Sequence, residues 1–87
     1  MQRSVVVALP EGLHARPAAQ FVAAAGKLPA KVTIAKTGGT PVATASILAI
    51  MTLGVGAGDE VVLETADDSA DSAASIDALE EFLRQTA

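Results

Sequence analysis

The 87-residue chain contains no cysteine, so neither a disulfide nor a thiolate metal site is available to it. Aromatic side chains are nearly as scarce, with Phe21 and Phe82 the only two. A core must therefore come from aliphatic residues and close backbone approach, drawn from a chain that is 51% apolar and rich in alanine. Only one histidine occurs, His14, which leaves no second imidazole to complete a zinc site. Basic charge is in short supply, and a net charge of −4 argues against a nucleic-acid binder, which needs a basic stripe to neutralise phosphates. No apolar run approaches the length of a membrane span. The longest near the start, Val5-Val6-Val7-Ala8-Leu9, is ended by Pro10 and is too short for the core of a signal peptide. The length predicts one domain, residues 1–87, and the absence of cysteine fits a reducing cytoplasm.

The charge is unevenly spread. Asp59 to Glu81 holds nine of the ten acidic residues, whereas residues 3 to 36 hold five of the six basic ones. An anionic partner should meet the first half. No repeat or linker interrupts the chain.

Arg3 to Ala8 alternates as a strand, with Val5 and Val7 on one face. Leu9-Pro10-Glu11-Gly12 reads as a loop. Pro17 suits the first turn of a helix, and Ala18, Phe21, Val22 and Ala25 recur at helical spacing up to a stop at Gly26. Lys31 to Lys36 alternates again, Thr37-Gly38-Gly39-Thr40 is a hairpin turn, and Pro41 to Thr44 pairs back as an edge strand. Ser46 caps a short helix from Ile47 to about Leu53, which Gly54, Gly56 and Gly58 end. Glu60 to Thr65 is a strand, and Asp67-Asp68-Ser69 caps a last helix with Ala73, Ile76, Leu79 and Leu83 in its stripe. The order β-α-β-β-α-β-α predicts an α+β fold. A four-stranded antiparallel sheet covered on one face by three helices would bury every apolar face named.

Any chemistry must involve His14, in Gly12-Leu13-His14-Ala15-Arg16-Pro17. The first turn of a helix offers unpaired N–H groups and a partial positive charge, which together favour anions. Ala15 and Arg16 bring no acid to compete for them. A neutral imidazole there is a nucleophile toward phosphorus. The backbone N–H groups and the guanidinium could then hold the phosphoryl oxygens. The residues alone equally allow an exposed or capping histidine and a solvated Arg16.

Gly12-Leu13-His14-Ala15-Arg16-Pro17-Ala18-Ala19 resembles the active-site signature of the HPr family, phosphocarriers of the phosphoenolpyruvate-dependent sugar phosphotransferase system. Ser46-Ile47-Leu48-Ala49-Ile50-Met51-Thr52-Leu53-Gly54-Val55 resembles that family's second signature, so the likeness covers nearly the whole chain. It implies the family's open-faced β-sandwich. It implies phosphorylation of His14 at Nδ1, with Ala15 and Arg16 binding the phosphoryl group, and a regulatory serine at Ser46. Ile47, Leu48 and Met51 fall where the family docks its partners. Independently, a helix this short cannot bury Ile47, Leu48, Ile50 and Met51 against one sheet, so some should form an interface. Where the family commonly has Asn before the glycine and a basic residue before the serine, this chain has Glu11 and Ala45.

The resemblance implies a monomeric cytoplasmic carrier that takes a phosphoryl group from enzyme I and passes it to enzyme IIA domains during sugar uptake. It requires no cofactor, metal, nucleic acid or membrane insertion, and has no substrate turnover of its own. Transcriptional regulators and an HPr kinase are further partners of such proteins. The alternatives are an HPr-fold regulator acting by protein–protein contact or in a nitrogen-type branch, and a purely structural or ligand-binding sandwich.

Overall fold

The computed structural model describes residues 1–85. The first strand, β1 (Gln2–Val6), leads to helix α1 (Ala15–Ala25), strands β2 (Thr33–Lys36) and β3 (Val42–Ala43), helix α2 (Ile47–Leu53), strand β4 (Glu60–Glu64) and helix α3 (Ala70–Leu83). The element order is the one expected. The four strands form an antiparallel sheet in the order β1-β4-β2-β3.

Strand alternation decides which face the helices cover. Val5 pairs with Val61, and Leu63 lies between Arg3 and Ile34 in register. Val5, Ile34, Val61 and Leu63 are all buried beneath the helices. Ser4 and Val6 alternate onto the open face, where Val6 is left exposed. At the helix-covered edge, the Arg3 guanidinium donates to Asp77 and, at 2.9 Å, to Glu80, both on α3. The two aromatic rings join α1 to α3: Phe21 and Phe82 meet edge to face at 5.5 Å between centroids.

Several boundaries differ from the alternation pattern, for identifiable reasons. Ladder pairing of β1 continues past Val6 irregularly, Val7 N donating to Asp59 O at 2.9 Å and Gly58 N to Val7 O at 2.8 Å. Regular β3 is two residues long; Pro41 lies just before it and has no N–H for a ladder, while Thr44 bonds Val32 O through both its N–H and its hydroxyl. Helix α1 starts at Ala15, two residues ahead of Pro17. Pro17 is thus the third helical residue, where its missing N–H still costs nothing. Gly26 ends α1 with an ordinary right-handed φ of −66°, and 3₁₀-type bonds from Lys27 and Leu28 to Ala24 and Ala25 close the helix.

The cap of α3 is more elaborate than a serine alone. Ser69 Oγ accepts from Ser72 N at 3.2 Å. The Asp67 carboxylate accepts from Ser72 Oγ at 2.6 Å and from Ser69 N at 3.1 Å. These donors, Ser72 first, hold the Asp67 carboxyl at about 2. Ile76, Leu79 and Leu83 carry the buried stripe, Ala73 sits half-buried, and the stripe also takes in Ser72 and Ser75. Ser75 is tolerated there because its hydroxyl accepts from Ala30 N at 3.1 Å.

Candidate functional site

The loop ahead of α1 is fixed by backbone contacts. Gly12 has φ +63°, and a Cβ on it would lie 2.3 Å from Val55 O and 2.7 Å from Gly56 Cα. Only glycine permits both that conformation and that approach. Leu13 N donates to the same Val55 O at 3.0 Å, and the Leu13 side chain is wholly buried. The loop therefore rests on the segment that follows α2.

One residue beyond this anchor, His14 occupies the N-cap of α1 with extended φ/ψ of −118° and 153°. Its side chain makes no capping hydrogen bond and is exposed. The first turn of α1 contains no acid. Because the leading N–H groups of a helix lack intrahelical acceptors and Pro17 has none to offer, the Ala15 and Arg16 amides are the open donors next to the imidazole. Arg16 is exposed and, among the described residues, makes no ion pair, unlike Arg3, Lys36 and Arg84. Its guanidinium is uncommitted in a region whose polarity suits an anion.

Helix α2 contributes the adjoining surface. Its N-cap is Ser46, whose hydroxyl accepts from Ala49 N at 3.3 Å, and its C-cap is Gly54 with φ 72°. Ile50 is buried, whereas Ile47, Leu48 and Met51 are exposed. These three are the large aliphatics that the described residues expose, apart from Val6 on the bare sheet face. The His14 loop rests on Val55, just past the C-terminal end of α2, whereas Ser46 caps the opposite end, about 10 Å of helix away.

A pair of residues behind the loop escaped the sequence reading. Asp59 Oδ2 accepts from Gly56 N at 2.8 Å and lies 3.5 Å from Lys36 Nζ, which also donates to Gly54 O at 3.3 Å. The Gly56 amide chiefly, with Lys36 adding, holds the Asp59 carboxyl below its usual range. In the sequence Asp59 looks like one more acid of the acidic half; the signal was its position after Gly56-Ala57-Gly58, where an Asp can cap a turn amide.

Comparisons with known proteins agree with this geometry. Residues 1–85 match the family described as "PTS HPr component phosphorylation site". The phosphocarrier protein HPr of Streptomyces coelicolor is 49% identical over 72 residues, covering 83% of this chain and 77% of that one. The phosphocarrier protein HPr of Haloferax volcanii is 43% identical over 84 residues, covering 95% and 92%. The crystal structure of a phosphocarrier protein HPr from Bacillus anthracis superposes with a TM-score of 0.86 at 36% identity, covering 95% of each chain. With a lone uncommitted histidine at a helix start, this sheet order and these relatives, the chain belongs to the HPr family of phosphotransferase-system phosphocarriers.

Proposed function

We propose that this chain, acting as a single domain, accepts a phosphoryl group on His14 from phospho-enzyme I and passes it to enzyme IIA domains. The observation that carries the reading is the N-cap position of His14: its ring is free of any cap bond and stands beside open amides in a first turn without acids. In the forward step, Nδ1 of neutral His14 attacks the phosphorus held by the donor histidine of enzyme I. The new N–P bond forms as the old one breaks, and the donor ring leaves as neutral imidazole. Each ring keeps the proton on its other nitrogen, so no proton need cross. The Ala15 and Arg16 amides and the Arg16 guanidinium hold the phosphoryl oxygens. Positioning and electrostatics carry such a step, with little covalent work left to the protein.

Ile47, Leu48 and Met51 form the docking patch in this reading. A small apolar surface suits a monomeric cytoplasmic carrier that must leave each partner, better than a large obligate interface would. Ser46 is a helix cap first. Its use by an HPr kinase is a separate matter, because Ala45 offers no basic determinant beside it.

The test is incubation with phosphoenolpyruvate and enzyme I, followed by analysis for an acid-labile adduct. Wild type should acquire one phosphoryl group and His14→Ala none, with the same circular dichroism. An equal yield of adduct in His14→Ala would refute the assignment.

A further inference from the structure

We propose that Asp59 is a positioning residue for the transfer step, holding in place, through Gly56 and Val55, the loop that presents His14. The role rests on the carrier function proposed above.

The Val55 carbonyl accepts the Leu13 amide at 3.0 Å and bounds Gly12, whose Cβ, if it had one, would approach to 2.3 Å. His14 follows immediately. The place of Val55 O thus sets where the chain leaves the loop and enters α1. Yet Val55 lies in a stretch with glycine at 54, 56 and 58, and glycines at 54 and 58 have φ of 72° and 86°. Such a stretch has wide backbone freedom unless something removes it.

Burial of the Val55 side chain in the core removes part of it, and two further side chains act on its flanks. Asp59 grips Gly56 from both sides: its Oδ2 accepts from Gly56 N at 2.8 Å, and its own N–H donates to Gly56 O at 3.2 Å. Lys36, 3.5 Å from that carboxylate, ties down Gly54 O at 3.3 Å. The Asp59 side chain is 39% exposed, and an ion pair that open adds little to global stability. What it adds is local order in the segment on which the His14 loop rests.

The experiment compares wild type, Asp59→Ala and Asp59→Asn as substrates of enzyme I, with amide exchange followed at Leu13. Asp59→Ala should lower kcat for phosphoryl uptake by about tenfold and leave KM for enzyme I within about twofold, since a misplaced reacting group costs rate and not docking. Its melting temperature should stay near that of wild type, while the Leu13 amide exchanges faster. Asparagine still offers an oxygen to Gly56 N and should recover most of the rate. A wild-type rate in Asp59→Ala overturns the role. So does a loss that Asn fails to relieve and that follows the melting temperature, because that is the pattern of a merely structural residue. If wild type itself takes up no phosphoryl group, the carrier function fails first, and the transfer role of Asp59 falls with it whatever Leu13 exchange reports.

Discussion

Leu48 and Ile50, two residues apart on α2, face opposite ways: Leu48 is 75% exposed and Ile50 is wholly buried. Two helical positions are about 200° apart, so one helix turn divides its aliphatics between core and solvent. Leu48→Asp and Met51→Asp should each raise KM for enzyme I and leave the melting temperature nearly unchanged. Ile50→Ala should do the reverse, costing roughly 2–5 kcal/mol of stability through lost burial and a residual cavity. Steady-state phosphorylation alongside thermal unfolding distinguishes the two classes; a collapse of the Leu48→Asp protein would mark Leu48 as core.

Arg16 stands free of carboxylates among the described residues, so removing it should not disturb the fold. Arg16→Ala should slow phosphoryl transfer by one or more decades, the equivalent of a charged contact of roughly 1.5–3 kcal/mol. Lysine should rescue only in part, since it lacks the planar fork of donors. Rapid-quench kinetics would check this, and a variant that transfers normally but melts early would contradict it.

The Ser46 hydroxyl oxygen accepts from the Ala49 amide in the first turn of α2. Ser46→Ala should cost about 1 kcal/mol. Ser46→Asp should be as stable as wild type or slightly more so, because aspartate also caps and its charge favours the helix N-terminus. That charge sits beside Ile47 and Leu48, and desolvating it in a complex is costly, so Ser46→Asp should accept phosphate poorly from enzyme I. Chemical denaturation and the phosphorylation assay read the two effects separately.

Asp67 predicts an acid limb in the stability curve. Its carboxyl is held at about 2, against an ordinary 3.8, chiefly by Ser72 and the Ser69 amide. A depressed carboxyl stabilises the fold above its unfolded value and loses that contribution as pH falls toward the folded one. The window is therefore about pH 4 down to about pH 2. Asp67→Asn should lower the melting temperature at pH 7 and flatten the decline across that window. Thermal scans at several pH values would show the wild-type and variant curves converging at low pH; a constant gap would exclude the linkage.

Much of the fold was legible because its signals are local. The alternation of Val5 with Val7 and of Val61 with Leu63, the Gly38-Gly39 turn and the Ser46 cap each announce themselves within a few residues. The family resemblance and the placement of His14 at a helix start pointed to the candidate site. What stayed hidden depends on distance in sequence. Nothing near Gly12 says that it must pass within contact of Val55 and Gly56, and nothing near Asp59 says that it orders a loop 45 residues upstream of it. Pro17 does lie in the first turn of α1, as its sequence position implies, but the first residue, Ala15, was not legible. Pro17 is acceptable at any of the first helical positions, so it marks a first turn without marking its first residue.

The pairing of Gln2–Val6 with Glu60–Glu64 has a consequence for the order of events during synthesis. The first strand to emerge finds its ladder partner only when the fourth has been made. The same delay applies to the histidine loop, since Gly12 and Leu13 have nothing to rest on until Val55 and Gly56 exist. A nascent chain that stops at Leu53 already contains the whole signature motif, yet lacks the surface that shapes it. Completion of the sheet and of the histidine loop therefore waits for the last third of the chain, and its long-range pairing makes folding slower than local pairing would.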